Sequence, residues 1–202
     1  MDVRCFDKKI ARYPAKVTDF GSKGSLGDRL QAIRKGRGMS VRELALAIGG
    51  WPTQSTIENI ELGRKGTVDV VQLLNIAMAL KVPLVFLLAP IGRAEDRLDL
   101  PGLSAEFASM TVAEFDAWLA GTTDGARRAS SIEERTATAE LEALRIWKRQ
   151  KAEASRLRSM VELEQESGLE LASIDSTRIR HREALQAADR QAELLRAAGW
   201  PI

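Results

Sequence analysis

Apolar residues recur at helical spacing in five short runs between positions 26 and 88, and each run carries its own start and stop signals. Residues 26–35 place Leu30 and Ile33 on one face and end in the glycines at 36 and 38. Residues 40–48 open with Ser40 and carry Glu43 three positions later, the signature of a capping box, with Leu44, Ala45 and Ile48 as the buried side. Gly49, Gly50 and Pro52 then break the chain, and Thr53 is placed to cap a helix from Gln54 to about Leu62. A fourth helix is predicted from Thr67 or Val68 through Leu80, with Val71, Leu74, Ala77, Met78 and Leu80 as its apolar residues. Pro83 suits the first turn of a fifth, over 83–88. Nothing in this stretch alternates as a strand does.

Residues 91–101 read as a polar hinge, and 103–120 as a further helical segment broken near Met110 and Thr111, where Thr111 and Glu114 form a second capping box. Beyond Ala126 the pattern changes. Residues 130–166 contain no Gly or Pro; at 1.5 Å per residue such a run extends about 50–60 Å. Ser167 and Gly168 interrupt it, and 169–198 resume until Gly199 and Pro201. In this last run Leu171, Ile174, Arg178, His181, Leu185, Ala188, Ala192 and Leu195 step alternately by three and four, a heptad-like seam with two polar breaks. The preceding run carries a less regular stripe of Leu141, Leu144, Trp147, Leu157, Met160, Val161 and Leu163. Neither has enough apolar surface to stand alone, so the two are expected to pack on each other as a coiled-coil-like hairpin, on a second subunit, or both.

The expectation is an all-α chain in four parts: an N-terminal arm (1–25), a five-helix domain (26–90), a helical connector (91–125) and a long-helix hairpin for dimerisation or partner binding (126–202).

Charge sharpens the picture. The formal charge of the 202 residues is only +2, but residues 1–66 carry 13 basic and 7 acidic side chains, residues 67–125 carry 3 and 8, and the remainder 14 and 13. A basic first third suits a polyanionic partner. One Cys (Cys5) and one His (His181) make an intramolecular disulfide impossible and a zinc site unsupported, and no cofactor or metal is expected. No signal peptide and no apolar run of membrane-spanning length occur, so a cytoplasmic, nucleoid-associated protein with no membrane contact is expected.

The helix beginning at Gln54 has two faces. Ile57 and Ile60 fall on one, and Gln54, Ser55, Glu58 and Asn59 on the other. Two helices joined by a short turn, the second exposing small polar groups, is what a DNA major groove admits, and Gln or Asn can make two hydrogen bonds to an adenine edge. The stretch "MSVRELALAIGG…TQSTIENIELGRK…VVQLLNIAMALKVPLVFLL" resembles the Xre/Cro-type helix-turn-helix domain of phage repressors and bacterial regulators over residues 26–88. The resemblance rests on Ala45 and Gly49 in the first motif helix and turn, on Ile57, Ile60, Glu61 and Gly63, and on the closing segment at 79–88. It implies base contacts from Gln54, Ser55 and Asn59, and backbone contacts from Ser40, Arg42, Thr53, Arg64 and Lys65. It also implies a structural salt bridge between Arg34 and Glu61. The turn through Trp51 is about two residues longer than the family's, Val41 replaces a polar residue and Leu62 an Asn. Glu58 on the groove side calls for a partner, either a cytosine or a neighbouring Arg.

The function expected is a sequence-specific double-stranded-DNA-binding transcriptional regulator, a repressor, acting as a homodimer through its C-terminal helices. The competing expectation is an interaction module, an antitoxin or adaptor whose C-terminal helices hold a protein partner. An enzyme is not expected. Ala120-Gly121 resembles the cleavage site of self-cleaving repressors, but no β-rich segment follows, and Lys148 and Lys151 lie in a charged helical run.

Overall fold

Short-range capping fixes most element starts. The computed structural model describes residues 24–122, 127–167 and 171–202, and only the backbone of 171–173. The predicted arm therefore lies outside the described residues apart from Gly24 and Ser25, as do Gly168, expected as part of the break between the long helices, and the side chain of Leu171. Ser25 caps helix α1 (Leu26–Gly36) in a reciprocal box with Asp28. Ser40 does the same for α2 (Val41–Ile48) with Glu43, and the left-handed Gly49 (φ 74°) ends it. Thr53 caps α3 (Gln54–Glu61). Asp69 caps α4 (Val70–Leu80), and α5 is the short helix Val85–Leu88. Leu30, Ile33, Leu44, Ile57, Ile60, Ile76, Leu80 and Leu87 from all five helices form one buried core.

The fourth helix departs from its expected register. It starts at Val70, not at Thr67 or Val68, and buries Leu73, Ile76, Ala77 and Leu80 while Val71, Leu74 and Met78 face outward. Apolar residues lie on both sides of this helix, so spacing alone left the inward side open; packing of Leu73 and Ile76 into the core settles it.

Residues 91–101, expected as a hinge, are folded onto the domain. Buried Arg29 in α1 donates to the Leu87 and Leu88 carbonyls (2.9 and 3.0 Å) and to Asp99 (2.9 and 3.0 Å). Helices α6 (Ala105–Ser109) and α7 (Val112–Ala120) follow, separated at Met110 and Thr111. Thr111 and Glu114 form the expected reciprocal box. Val112 and Phe115 close a second apolar cluster over Ala89, with Val85, Leu98 and Phe107 packed against it. The first compact unit accordingly runs to Ala120.

The second unit begins at Gly121 and consists of two long helices packed together, α8 (Ile132–Glu166) and α9 (Leu171–Ala197). Ser131 caps α8. Trp200 Nε1 donates to Glu140 Oε2 (3.1 Å), fastening the end of the hairpin to the first half of α8. The seam of α9 runs through Ile174, Thr177, Ala188, Ala192 and Leu195. Arg178 and Leu185, assigned to it by spacing, are exposed, because the seam passes one residue earlier through Thr177 and Ala184. On α8, Ala154 and Leu157 are buried while Leu163, expected in the stripe, is 61% exposed. Among the described residues every regular element is a helix, apart from one isolated bridge between Arg97 and Thr111, and no helix is long and apolar enough to cross a membrane.

One glycine controls the approach of α1 to α3. A Cβ on Gly27 would run into the backbone oxygens of Ile60 and Glu61, the latter at 2.9 Å. Gly27→Ala should therefore destabilise the first unit by about 1–3 kcal/mol, the range for overpacking a close contact. Urea unfolding followed by circular dichroism checks this, and an unchanged midpoint would contradict the close approach.

Candidate nucleic-acid interface

Helix α3 is held by an ion pair reaching across to α1. Arg34 Nε and Nη2 donate to Glu61 Oε1 and Oε2, both at 2.6 Å, and Arg34 Nη1 donates to the Met39 carbonyl (2.7 Å). The two side chains are 7% and 4% exposed. The bond to Glu61 raises the guanidinium pKa above its ordinary value. Two parallel bonds fix the roll of α3 about its axis as well as its distance from α1. With Ile57 and Ile60 buried beneath, the opposite face of α3 is turned to solvent.

That face carries Gln54, Ser55 and Asn59, all exposed. Thr53 Oγ1 accepts from the Thr56 amide (3.4 Å) and lies 3.2 and 3.0 Å from the Ser55 and Thr56 hydroxyls. Gln54 Nε2 donates to Glu58 Oε1 (2.8 Å) one turn along. This supplies the partner that Glu58 called for, and it is neither an Arg nor a base. An amide nitrogen has two N–H groups; with one held by Glu58, the other N–H and the carbonyl oxygen remain, the donor–acceptor pair that an adenine edge requires.

Past the end of α3 the chain turns back through Gly63 (φ 64°), and the Asn59 carbonyl accepts from the Arg64 and Lys65 amides (2.9 and 3.2 Å). Thr56, Asn59, Arg64 and Lys65 thereby line an open recess of about 340 Å³. Two cations and two neutral hydrogen-bonding groups around an open recess form an environment suited to a phosphate. Sequence reading did not include Thr56, a residue that only the return of the chain brings next to the two cations. Lys65 also donates to Gln72 Oε1 (2.8 Å), and its ammonium stands 5.7 Å from the Trp51 ring centroid. The long turn bearing Trp51 is anchored by Asn75 Nδ2, which donates to the Trp51 carbonyl (2.7 Å). The indole itself is 51% exposed.

Ser40 and Arg42 lie at the start of α2, away from that recess in sequence. The Ser40 amide and hydroxyl both donate to Glu43 Oε2 (2.7 Å each), which holds the Glu43 pKa below the usual carboxylate range. The positive end of α2 thus already has a carboxylate beside it, and a phosphate approaching Ser40 meets that charge. Arg42 is exposed.

The helix-turn-helix family model matches residues 30–87, well under half of the 202 residues. That family is a DNA-binding one and not a family of enzymes, and the match supports a DNA-binding regulator of the Xre/Cro kind. No curated protein and no solved structure gives a significant match.

The two pairings on α3 should differ sharply in what substitution costs. Arg34→Met leaves the Glu61 carboxylate buried without its cation and should cost about 3–5 kcal/mol of stability. Glu58→Ala removes an exposed one-turn bond and should cost no more than about 0.5 kcal/mol. Denaturant midpoints of the two variants, measured side by side, check both values.

Proposed function

We propose that the chain is a sequence-specific double-stranded-DNA-binding transcriptional regulator that lays α3 in the major groove. The observation that carries this reading is the presentation of Gln54: exposed at the first turn of α3, steadied by Glu58, on a helix locked by Arg34 and Glu61. In this reading Gln54, Ser55 and Asn59 meet base edges. Thr53, Arg64 and Lys65 meet the sugar-phosphate backbone beside them. Ser40 and Arg42 meet it at the start of α2, where Glu43 weakens the contribution of Ser40. Occupying a promoter is enough to repress, so repression is the sign we assign. Its place would be in the cytoplasm, at the nucleoid.

We assign the hairpin to a homodimer. A domain of this size reads few base pairs, and two half-sites about one helical turn apart, or a multiple, supply the rest. The outward Leu163, Ile179 and Leu194 (61%, 53% and 65% exposed) support a chain docking on the hairpin. The same residues favour a second reading, in which the hairpin holds a different protein as an antitoxin or adaptor would. Sedimentation of the full chain beside a Leu163→Glu, Leu194→Glu variant separates the two: a stable dimer that the substitutions dissociate supports the hairpin homodimer, and a state of association that they leave unchanged supports the partner-holding module.

Duplexes selected from a random pool test the groove reading. Gln54→Ala should leave the fold intact and reduce discrimination at one A·T pair by about 1–3 kcal/mol. Arg64→Ala should weaken binding to all duplexes alike and lower the salt dependence of log K by about one unit. Equal affinity of the wild-type protein for every duplex would overturn sequence-specific readout.

A further inference from the structure

Every fully exposed side chain of helix α4 is apolar. Its sequence, VVQLLNIAMAL, contains no charged residue. Val70, Val71, Leu74 and Met78 are 60%, 51%, 50% and 80% exposed, while Leu73, Ile76 and Leu80 on the other side fill the core. Val70, Leu74 and Met78 stand four residues apart and form one continuous ridge, the kind that interdigitates with an equivalent ridge on another helix. Water gains nothing from such a face, and isolated exposed apolar residues do not line up in this way.

The ends of the helix indicate what covers it. Asp69, exposed, caps the N-terminus, and Lys81, exposed, follows the C-terminus. Two copies of α4 laid antiparallel across a two-fold axis at Leu74 bring Asp69 of each toward Lys81 of the other. The parallel arrangement would set like charge against like. The uncharged face between them imposes no repulsion on self-contact. Opposite charges at the two ends of an apolar ridge make the surface complementary to itself, the requirement for an isologous contact.

We propose that the outward face of α4 is a contact between two copies of this chain, antiparallel about Leu74, with Asp69–Lys81 pairs at both ends. It joins the helix-turn-helix domains directly and is separate from any association of the C-terminal hairpins. It does not rest on the duplex reading, and its test contains no DNA, so either can fail without the other.

The test is oxidative cross-linking of the full chain with Cys5 replaced by Ser. Leu74→Cys places one thiol at the axis, and Leu62→Cys, at a site 58% exposed outside α4, serves as the collision control. Leu74→Cys should form the covalent dimer on the order of tenfold faster than the control, as expected for thiols held at high effective concentration. Asp69→Asn keeps the cap and removes the charge. In the Leu74→Cys background, Asp69→Asn and Lys81→Gln should each slow the reaction severalfold at low salt, an effect that fades as salt screens the pairs. A Leu74→Cys rate equal to that of the Leu62→Cys control overturns the proposal, whether the face is covered instead by residues 1–23 or by another protein. Rapid cross-linking indifferent to Asp69 and Lys81 overturns the antiparallel arrangement.

Discussion

The buried Arg34–Glu61 pair is the constraint on which the geometry of α3 depends. Taking two charges out of water costs several kcal/mol per ion, and their attraction offsets this only when the bonding is close to complete. Here it is: both Glu61 oxygens accept from the guanidinium, and the third arm of Arg34 holds the Met39 carbonyl before α2. One side chain of α1 therefore sets the end of α3 and the entry to α2 together. An apolar pair of similar volume would bury as well but would let the helices slide and roll. If α3 aims the Gln54 amide at base edges, as proposed above, it needs that freedom removed more than it needs extra stability. Gly27 belongs to the same arrangement, since only a missing side chain lets α1 come close enough for the pair to form.

The charges around α3 divide two tasks. Arg64 and Lys65 sit where the chain returns past Asn59, beyond the end of the helix. On the helix itself the only charged residues are Glu58 and Glu61, and Glu61 is buried and neutralised. Glu58 repels phosphate, so it contributes nothing to general attraction for DNA; its bond to Gln54 restricts the amide. In the reading proposed above, the arrangement trades some affinity for orientation: cations outside the helix would attract any duplex, and a braced amide at its start would distinguish among them.

What was legible in the sequence is what local chemistry decides. The boxes at Ser40–Glu43 and Thr111–Glu114 and the cap at Thr53 involve residues three apart, and the helices start where those signals stand. The first long helix ends at Ser167, where the sequence placed its break. The inward side of α4 was not legible, because Val71, Leu74 and Met78 repeat as regularly as Leu73, Ile76 and Leu80 and only the shape of the core distinguishes them. The anchoring of residues 91–101 was hidden for a different reason. It hangs on Arg29 reaching Asp99, 70 positions away, and nothing near either residue announces the pair. At the site, the exposed Gln54, Ser55 and Asn59 followed from helical periodicity alone, whereas the recess joining Thr56 to Arg64 and Lys65 required the chain reversal at Gly63.

The hairpin shows the same limit from the energetic side. Its seam is built largely of small residues, Ala154 facing a stripe with Ala188 and Ala192, and each contributes little apolar area. Small residues let α8 and α9 approach closely, and in doing so they leave the larger Leu163, Ile179 and Leu194 on the outside. Two helices bury one stripe each; a bundle of four buries two. The pattern of apolar residues in residues 126–202 is richer than one stripe per helix requires, and a second hairpin packed against the first, as in the dimer proposed above, would use the remainder.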